Sequence, residues 1–190
     1  MLPQGIDSIT IGMDPSMGKA RGDYFGISAI FYVKSQKKLY ATANGYKITP
    51  DKMIDKIIAY YLKLSKLTPT ITIACEEIAF QEFFKNTLKE RMRSLGQFVP
   101  IIGIRNAAHK NVRLDALSPL LSQEDMRIDT SALLLREELD TYPKCAHDDL
   151  LDSIDIALQA FNKGAKTNYK AINKAQKEYK SLFQHAREIF

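Results

Sequence analysis

The first third of the chain contains three segments with the residue pattern of β-strands. In the first, Ile9, Ile11 and Met13 recur at every second position, and the second is rich in aromatic and β-branched residues. A polar, turn-like stretch precedes the third, so we expect the second and third strands to form an antiparallel hairpin that Asn44-Gly45 closes. The predicted strands span 6–13, 24–33 and 39–44.

The remainder of the chain changes between helical and strand patterns. Thr49 as cap and Pro50 at the first position predict a helix that stops before Pro69. Further helices are predicted at 80–95, 110–121, 131–139, 148–161 and 168–186, and further strands at 70–75 and 98–104. Three antiparallel strands followed by strand–helix units predict an α/β fold, with a mixed sheet and helices on both of its faces.

The composition is that of an ordinary globular domain. The chain has 190 residues, of which 45% are hydrophobic and 26% charged, and this excludes disordered and fibrous classes. No apolar run approaches the roughly 20 residues of a membrane helix, and the N-terminus lacks a signal layout, so we expect a cytoplasmic protein without membrane contact. Cys75 and Cys145 are too few for a disulfide framework or structural zinc, and are expected to be buried thiols.

The positive charge is concentrated at the C-terminal end. The net charge is +5, and residues 162–190 carry seven basic and two acidic side chains, which leaves the rest neutral. We therefore expect a folded domain at 1–163 and a basic helical extension at 164–190. Its lysines recur at three- and four-residue steps and could release counterions from a DNA backbone, or simply form a solvated helix face. The candidate DNA contacts there are Lys166, Lys170, Lys174 and Lys177.

Acidic residues follow two of the predicted strands and begin one of the predicted helices. Asp14 ends the first strand and Glu76 the fourth, and ligands bind at the carboxyl ends of strands in open sheets. Asp148 or Asp149 is expected to cap a helix, with Asp152 one turn further on. Converging carboxylates suit Mg²⁺ or Mn²⁺, and two such ions about 4 Å apart support phosphodiester cleavage. Taken singly, these residues could instead serve turns and helix caps.

Four passages together resemble a known family. They are Met13–Gly18 with Asp23-Tyr24-Phe25, Cys75–Gln81, Lys110–Leu114 with Leu117–Leu120, and Tyr142-Pro143 with His147–Ser153. Their residues and order resemble the nuclease domain of the large terminase subunit, the DNA-packaging protein of tailed bacteriophages and herpesviruses. That resemblance implies a ribonuclease H-like fold, with a mixed sheet of three antiparallel strands and then parallel additions.

The resemblance also implies a ligand set for two Mg²⁺ or Mn²⁺ ions. The main ligands would be Asp14, Glu76 and one or both of Asp148 and Asp149, with Asp23 and Asp152 as auxiliary ligands. Glu77 competes with Glu76, but Gln81 anchors the match and strand alternation would turn Glu77 to the other face. Lys110 and Arg113 could hold the DNA backbone, and equally could be exposed helix charges.

The activity implied is that of an endonuclease that cuts double-stranded, concatemeric DNA during genome packaging, encoded by a phage or prophage and acting in the bacterial cytoplasm. The implied partners are the terminase ATPase domain, the small terminase subunit and the capsid portal. We expect no ATPase motor here, because five residues separate Gly12 from Gly18-Lys19 and Ala20 replaces the hydroxyl residue of a phosphate-binding loop. The alternatives are another ribonuclease H-like nuclease, of the junction resolvase or transposase type, and a catalytically silent DNA-binding module.

Overall fold

A computed structural model of the chain describes residues 3–15, 24–76, 79–105, 115, 117–129, 131–145 and 147–164, with side chains left out for 79–83. The strands are β1 (Ser8–Asp14), β2 (Phe25–Val33), β3 (Lys38–Tyr46), β4 (Ile71–Glu76), β5 (Ile101–Ile104) and β6 (Met126–Ile128). The helices are α1 (Pro50–Leu64), α2 (Ala79–Ser94), α3 (Leu117–Ser122), α4 (Leu133–Thr141) and α5 (Asp149–Gly164).

The six strands form one mixed sheet in the order β5-β4-β1-β2-β3-β6. Strands β1, β2 and β3 are successive antiparallel neighbours, as their patterns predict, and β4 and β5 add in parallel beside β1. Strand β6 adds in parallel to the far side of β3. The α/β fold class with a mixed sheet is therefore confirmed.

Helices cover both faces of the sheet. Helices α1 and α2 contribute Ile57, Tyr61, Leu88 and other buried residues to a large apolar cluster with one face of β1 to β4. The opposite face packs against α5, whose Leu150, Ile154 and Leu158 belong to a second cluster with residues of β2, β3 and β6. This two-sided covering explains why almost every residue of β1 and β2 is buried.

Several predicted boundaries were wrong. Strand β3 does not end at Asn44-Gly45, because those residues pair with Ile27 and Gly26 and the ladder continues to Tyr46. Strand β5 begins at Ile101 rather than at residue 98. Strand β6 was missed, since three residues are too few to show a period of two. The predicted helices at 131–139 and 148–161 occupy 133–141 and 149–164.

Three further expectations about local structure have mixed outcomes. Thr49 occupies the N-cap position of α1, but its side chain makes no capping hydrogen bond. Cys75 is buried as expected, whereas Cys145 is partly exposed. Much of the predicted helix at 110–121, and the basic extension beyond Gly164, lie outside the described residues. Within the part that is described, no helix is long and apolar enough to cross a membrane.

Candidate active site

Asp14 and Glu76 lie side by side at the carboxyl ends of two neighbouring parallel strands. The register of β1 and β4 pairs Met13 with Cys75, and each acidic residue is the next one along its strand. Met13 and Cys75 belong to the cluster under α1 and α2, so alternation places Asp14 and Glu76 on the opposite face, under α5. Both residues are half-buried.

The N-terminus of α5 rests directly on this end of the sheet. Asp14 is paired with Gly26 of β2, and a Cβ atom at Gly26 would overlap the main-chain carbonyl of Asp149. One turn further along, Gly12 makes the same close approach to the carbonyl of Ser153, which accepts a hydrogen bond of 2.8 Å from the Ser28 hydroxyl. The lack of side chains at these two glycines lets the first turn of α5 lie against β2 and its second turn lie against β1, the strand that carries Asp14.

The helical period separates the acidic residues of α5 into two directions. Ile156 and Ala160 pack against Ala74 of β4 and Ile104 of β5. Asp152 and Asp148 continue that ridge towards the N-terminus at four-residue steps, and Ala74 lies two residues before Glu76 on β4. Asp148 and Asp152 are therefore on the side of α5 that faces the Glu76 end of β4. The Oδ1 atom of Asp152 is buried.

Asp149 is held on the other side, towards β2. Its Oδ2 atom accepts a hydrogen bond of 3.0 Å from the main-chain N–H of Tyr24 and lies 4.0 Å from Nδ1 of His147. Only 17% of its side chain is exposed. The sequence leaves open whether Asp148 or Asp149 is the main metal ligand. In the structure these two residues have different surroundings.

An aromatic and basic border adjoins these carboxylates. The rings of Tyr24 and His147 meet edge to face with centroids 5.2 Å apart, and Nζ of Lys47 lies 4.6 Å from the centre of the Tyr24 ring. The arrangement places a cation and two rings at the rim of an acidic site, where they can contact an anionic, base-bearing ligand.

Glu138 of α4 is a buried carboxylate next to the same helix start. Its Oε2 atom accepts hydrogen bonds from the N–H groups of Leu150 at 3.1 Å and Leu151 at 3.0 Å. Burial raises the pKa of Glu138 from 4.5 to about 7; the two hydrogen bonds oppose this shift, and the negative charges of Asp149 and Asp148 add to it. The N–H groups of Leu150 and Leu151, for which the sequence predicts Asp148 or Asp149 as the cap, therefore donate to a residue of another helix.

Sequence reasoning missed Glu138, although a signal for it exists. Glu138 lies three residues after the buried Leu135 and one turn before Tyr142, on the buried side of α4. An acidic residue on the apolar side of an amphipathic helix indicates a specific polar partner, because burial of an isolated charge is costly. Asp155 of α5 is a second buried carboxylate that was missed, and it accepts a hydrogen bond of 2.8 Å from Gln159.

The donor set at this edge fits hard divalent cations. Every predicted ligand is a carboxylate, and carboxylate oxygens are the ligands that Mg²⁺ and Mn²⁺ prefer. Across the residues that the structure describes, no three His, Cys, Asp or Glu side chains are already arranged to hold a metal ion. The fold thus brings the strand and helix positions that carry the predicted ligands to one end of the sheet.

Several predicted site residues lie outside the described residues. They are Asp23, Glu77 and the candidate DNA contacts Lys110, Arg113, Lys166, Lys170, Lys174 and Lys177. The roles given to them remain predictions.

Comparisons with known proteins agree on the architecture. No protein-family model matches the chain, and no curated protein matches it by sequence. The crystal structure of the large terminase nuclease from thermophilic phage G20c is similar, with a TM-score of 0.53, 14% identity, and coverage of 80% of this chain and 81% of that chain. The same nuclease with bound zinc gives a TM-score of 0.53 at 12% identity, covering 80% of each chain.

A second kind of nuclease has a similar structure. The yeast mitochondrial Holliday junction resolvase Ydc2 gives a TM-score of 0.50 at 15% identity, and the match covers 93% of this chain and 88% of the resolvase. At these identities the likeness concerns the fold. The protein has the ribonuclease H-like fold that the resemblance in its sequence predicts.

Proposed function

We propose that this protein is a metal-dependent nuclease that hydrolyses phosphodiester bonds in DNA. One observation carries the proposal: Asp14, Glu76 and the acidic N-terminus of α5 lie on one face of the sheet, at the carboxyl ends of β1 and β4. Concentrating carboxylates there has an electrostatic cost, which a divalent cation between them would remove.

Each residue has a proposed task in this reaction. Asp14, Glu76 and Asp148 hold the cations, with Asp149 and Asp152 beside them, and Asp23 is a further candidate ligand. The chemistry that two bound Mg²⁺ or Mn²⁺ ions would supply at these residues is activation of a water molecule and stabilisation of the leaving oxygen. The Tyr24 N–H fixes the Asp149 carboxylate. Lys47 stands at the rim, where a phosphate of the backbone would pass.

The more specific form of the proposal is an endonuclease of the large terminase type. It is supported by the four sequence passages and by the fold shared with the phage nuclease, for which a zinc-bound structure is also known. The substrate would be double-stranded, concatemeric DNA, cut during genome packaging in a bacterial cytoplasm. The terminase ATPase domain, the small terminase subunit and the capsid portal would be its partners. Lys110, Arg113 and the basic extension would bind the DNA backbone.

The test is cleavage of supercoiled plasmid in Mn²⁺, Mg²⁺ or chelator. We expect nicked and linear products with either ion, none with chelator, and none above the chelator control for Asp14→Asn. Asp14→Asn should also leave the free energy of unfolding unchanged or higher, because it relieves repulsion between carboxylates. The control is Asp125→Asn, at an exposed position before β6. A wild-type protein that binds DNA but neither binds Mn²⁺ nor cuts would instead support a binding module.

A junction resolvase is the second candidate. The match to the yeast resolvase spans 93% of this chain, against 80% for the phage nuclease. Cleavage of a synthetic four-way junction and of its linear duplex arms, each labelled at one end, separates the two activities. Symmetric cuts at the branch with intact duplex arms would support the resolvase, and comparable cutting of both substrates would support the terminase type.

A further inference from the structure

The start of α5 has an unusual acceptor for its main-chain N–H groups. Asp148 occupies the N-cap position, because its carbonyl accepts the first hydrogen bond of the helix, from the N–H of Asp152 at 2.9 Å. An aspartate at an N-cap ordinarily accepts from the second or third N–H of the helix, here Leu150 and Leu151. Both of these N–H groups donate to Glu138 of α4 instead.

The use of Glu138 as the acceptor for these two N–H groups carries a free-energy cost. Glu138 is 5% exposed, and it adds a third carboxylate near Asp148 and Asp149. Both aspartates oppose its ionised form, as does burial. A helix that needed only a cap could use Asp148, which already stands at the N-cap position and is less buried than Glu138. The extra carboxylate is therefore best explained by a separate use for the Asp148 side chain.

We propose that Glu138 is a positioning residue that caps α5 in place of Asp148, so that capping does not compete with divalent cation binding for the Asp148 carboxylate. Asp148 lies on the ridge of α5 that leads to the Glu76 end of β4, whereas the N–H groups of Leu150 and Leu151 lie towards α4. Without Glu138, the Asp148 carboxylate would turn to those N–H groups. This inference rests on the proposed function.

The test uses two substitutions that separate capping from charge. Glu138→Gln keeps one carbonyl oxygen, which suffices because Oε2 alone accepts from both N–H groups in this structure. Glu138→Leu has a similar volume and no acceptor. Glu137→Leu, at an exposed position one residue away, is the matched control. Mn²⁺ binding is measured by the electron paramagnetic resonance signal of free Mn²⁺, with folding followed by circular dichroism.

We expect Glu138→Leu to weaken Mn²⁺ binding by about tenfold or more, as changes beside a ligand commonly do. Glu138→Gln and Glu137→Leu should bind Mn²⁺ like the wild type. In the Asp148→Asn background, Glu138→Leu should cause little further loss, since Glu138 acts through Asp148. A residue with a purely structural role would give the same loss in both backgrounds.

Two results would overturn the inference while leaving the proposed function intact. One is full Mn²⁺ affinity in folded Glu138→Leu, together with wild-type cleavage. The other is a loss of affinity in folded Glu138→Gln, which would show that the charge matters rather than the cap; this result decides the matter even if Glu138→Leu does not fold. A wild-type protein that neither binds Mn²⁺ nor cuts DNA would overturn the proposed function itself.

Discussion

The two faces of β1 are packed in different ways. Towards α1 and α2 it presents Ile9, Ile11 and Met13, which are completely or almost completely buried in the large apolar cluster. Towards α5 the same strand presents Thr10, Gly12 and Asp14. There the packing relies on close main-chain contact with α5 and on buried polar groups, among them Ser28 and Ser153.

This difference between the two faces predicts that one contributes mainly to the free energy of unfolding, whereas the other also affects cation binding. Apolar burial stabilises the first face in proportion to area and tolerates small rearrangements. The second face also buries an apolar cluster against α5, but beside β1 its packing depends on main-chain distances. These distances set where Asp14, Glu76 and the start of α5 lie relative to one another. Substitutions on the first face should therefore alter unfolding without altering cation binding, whereas substitutions on the second should alter both.

The largest expected effect on stability comes from Phe31→Ala on the apolar face. Phe31 is 2% exposed and packs opposite Ile9. Its truncation should lower the free energy of unfolding by about 4 kcal/mol, through lost burial and the cavity left behind. Urea denaturation measures this loss, and Mn²⁺ affinity of the folded protein should be unchanged. Weakened Mn²⁺ binding in a folded Phe31→Ala protein would break the proposed separation of the two faces.

Gly12→Ala should have the next largest effect and should change both properties. The added Cβ would overlap the carbonyl of Ser153 and lie 2.8 Å from the Cβ of Ala157, so α5 must move. We expect a loss of about 3 kcal/mol in the free energy of unfolding, together with weaker Mn²⁺ binding. Gly45→Ala is the comparison for stability and should cost less, because its nearest contacts, at 3.0 Å, are side-chain atoms of Leu150 and Tyr24 rather than main-chain atoms.

The pH dependence of stability should report the buried Glu138. Its pKa rises from 4.5 to about 7 on folding, so the folded state binds more protons between these values. Stability from this group is fully present below about pH 4.5 and is lost as the pH rises through about 7. Denaturation at pH 5 and pH 8 should thus show a smaller free energy of unfolding at pH 8, and Glu138→Gln should flatten the profile. An equal slope in both proteins would exclude Glu138 as its source.

The smallest predicted effect concerns the hydrogen bond that ties β2 to α5. Ser28→Ala removes the donor to the Ser153 carbonyl and should cost about 1 kcal/mol in chemical denaturation. Ser153→Ala is the comparison, because the Ser153 hydroxyl donates within its own helix, to the Leu150 carbonyl at 2.7 Å. It should cost less than Ser28→Ala. The reverse order would show that the contact between sheet and helix is not the stabilising one.

The sequence predicted the parts of this molecule whose signals are local. Alternation in β1 and the runs of β2 and β4 sufficed for the strands, and with them the placement of Asp14 and Glu76 at the strand ends. The three-residue β6 carries no such signal. Asn44-Gly45 resembles a turn, but both residues pair with β2 inside the ladder, and this pairing is a contact that the local sequence does not show.

The predicted site was incomplete where it depended on distant contacts. The sequence predicts Asp148 or Asp149 as the cap of α5. No local pattern shows that Glu138, more than ten residues earlier in the chain, accepts the hydrogen bonds of the Leu150 and Leu151 N–H groups. Nor does the sequence show which of the two aspartates the Tyr24 N–H holds. Such side-chain-to-main-chain bonds follow from how α4 and β2 pack against α5, which only the folded chain defines.

The contact between Tyr24 and Asp149 also has a consequence for the order of events during synthesis. These residues are 125 positions apart, and α5 is the last described element to leave the ribosome. Strand β1 and its hairpin can form early, but the acidic edge remains incomplete until α5 has emerged and docked. A nascent chain that stops before Asp149 would leave the face of the sheet that packs against α5 uncovered and would lack the acidic residues of that helix. The proposed nuclease activity would therefore require that α5 has been synthesised and has docked.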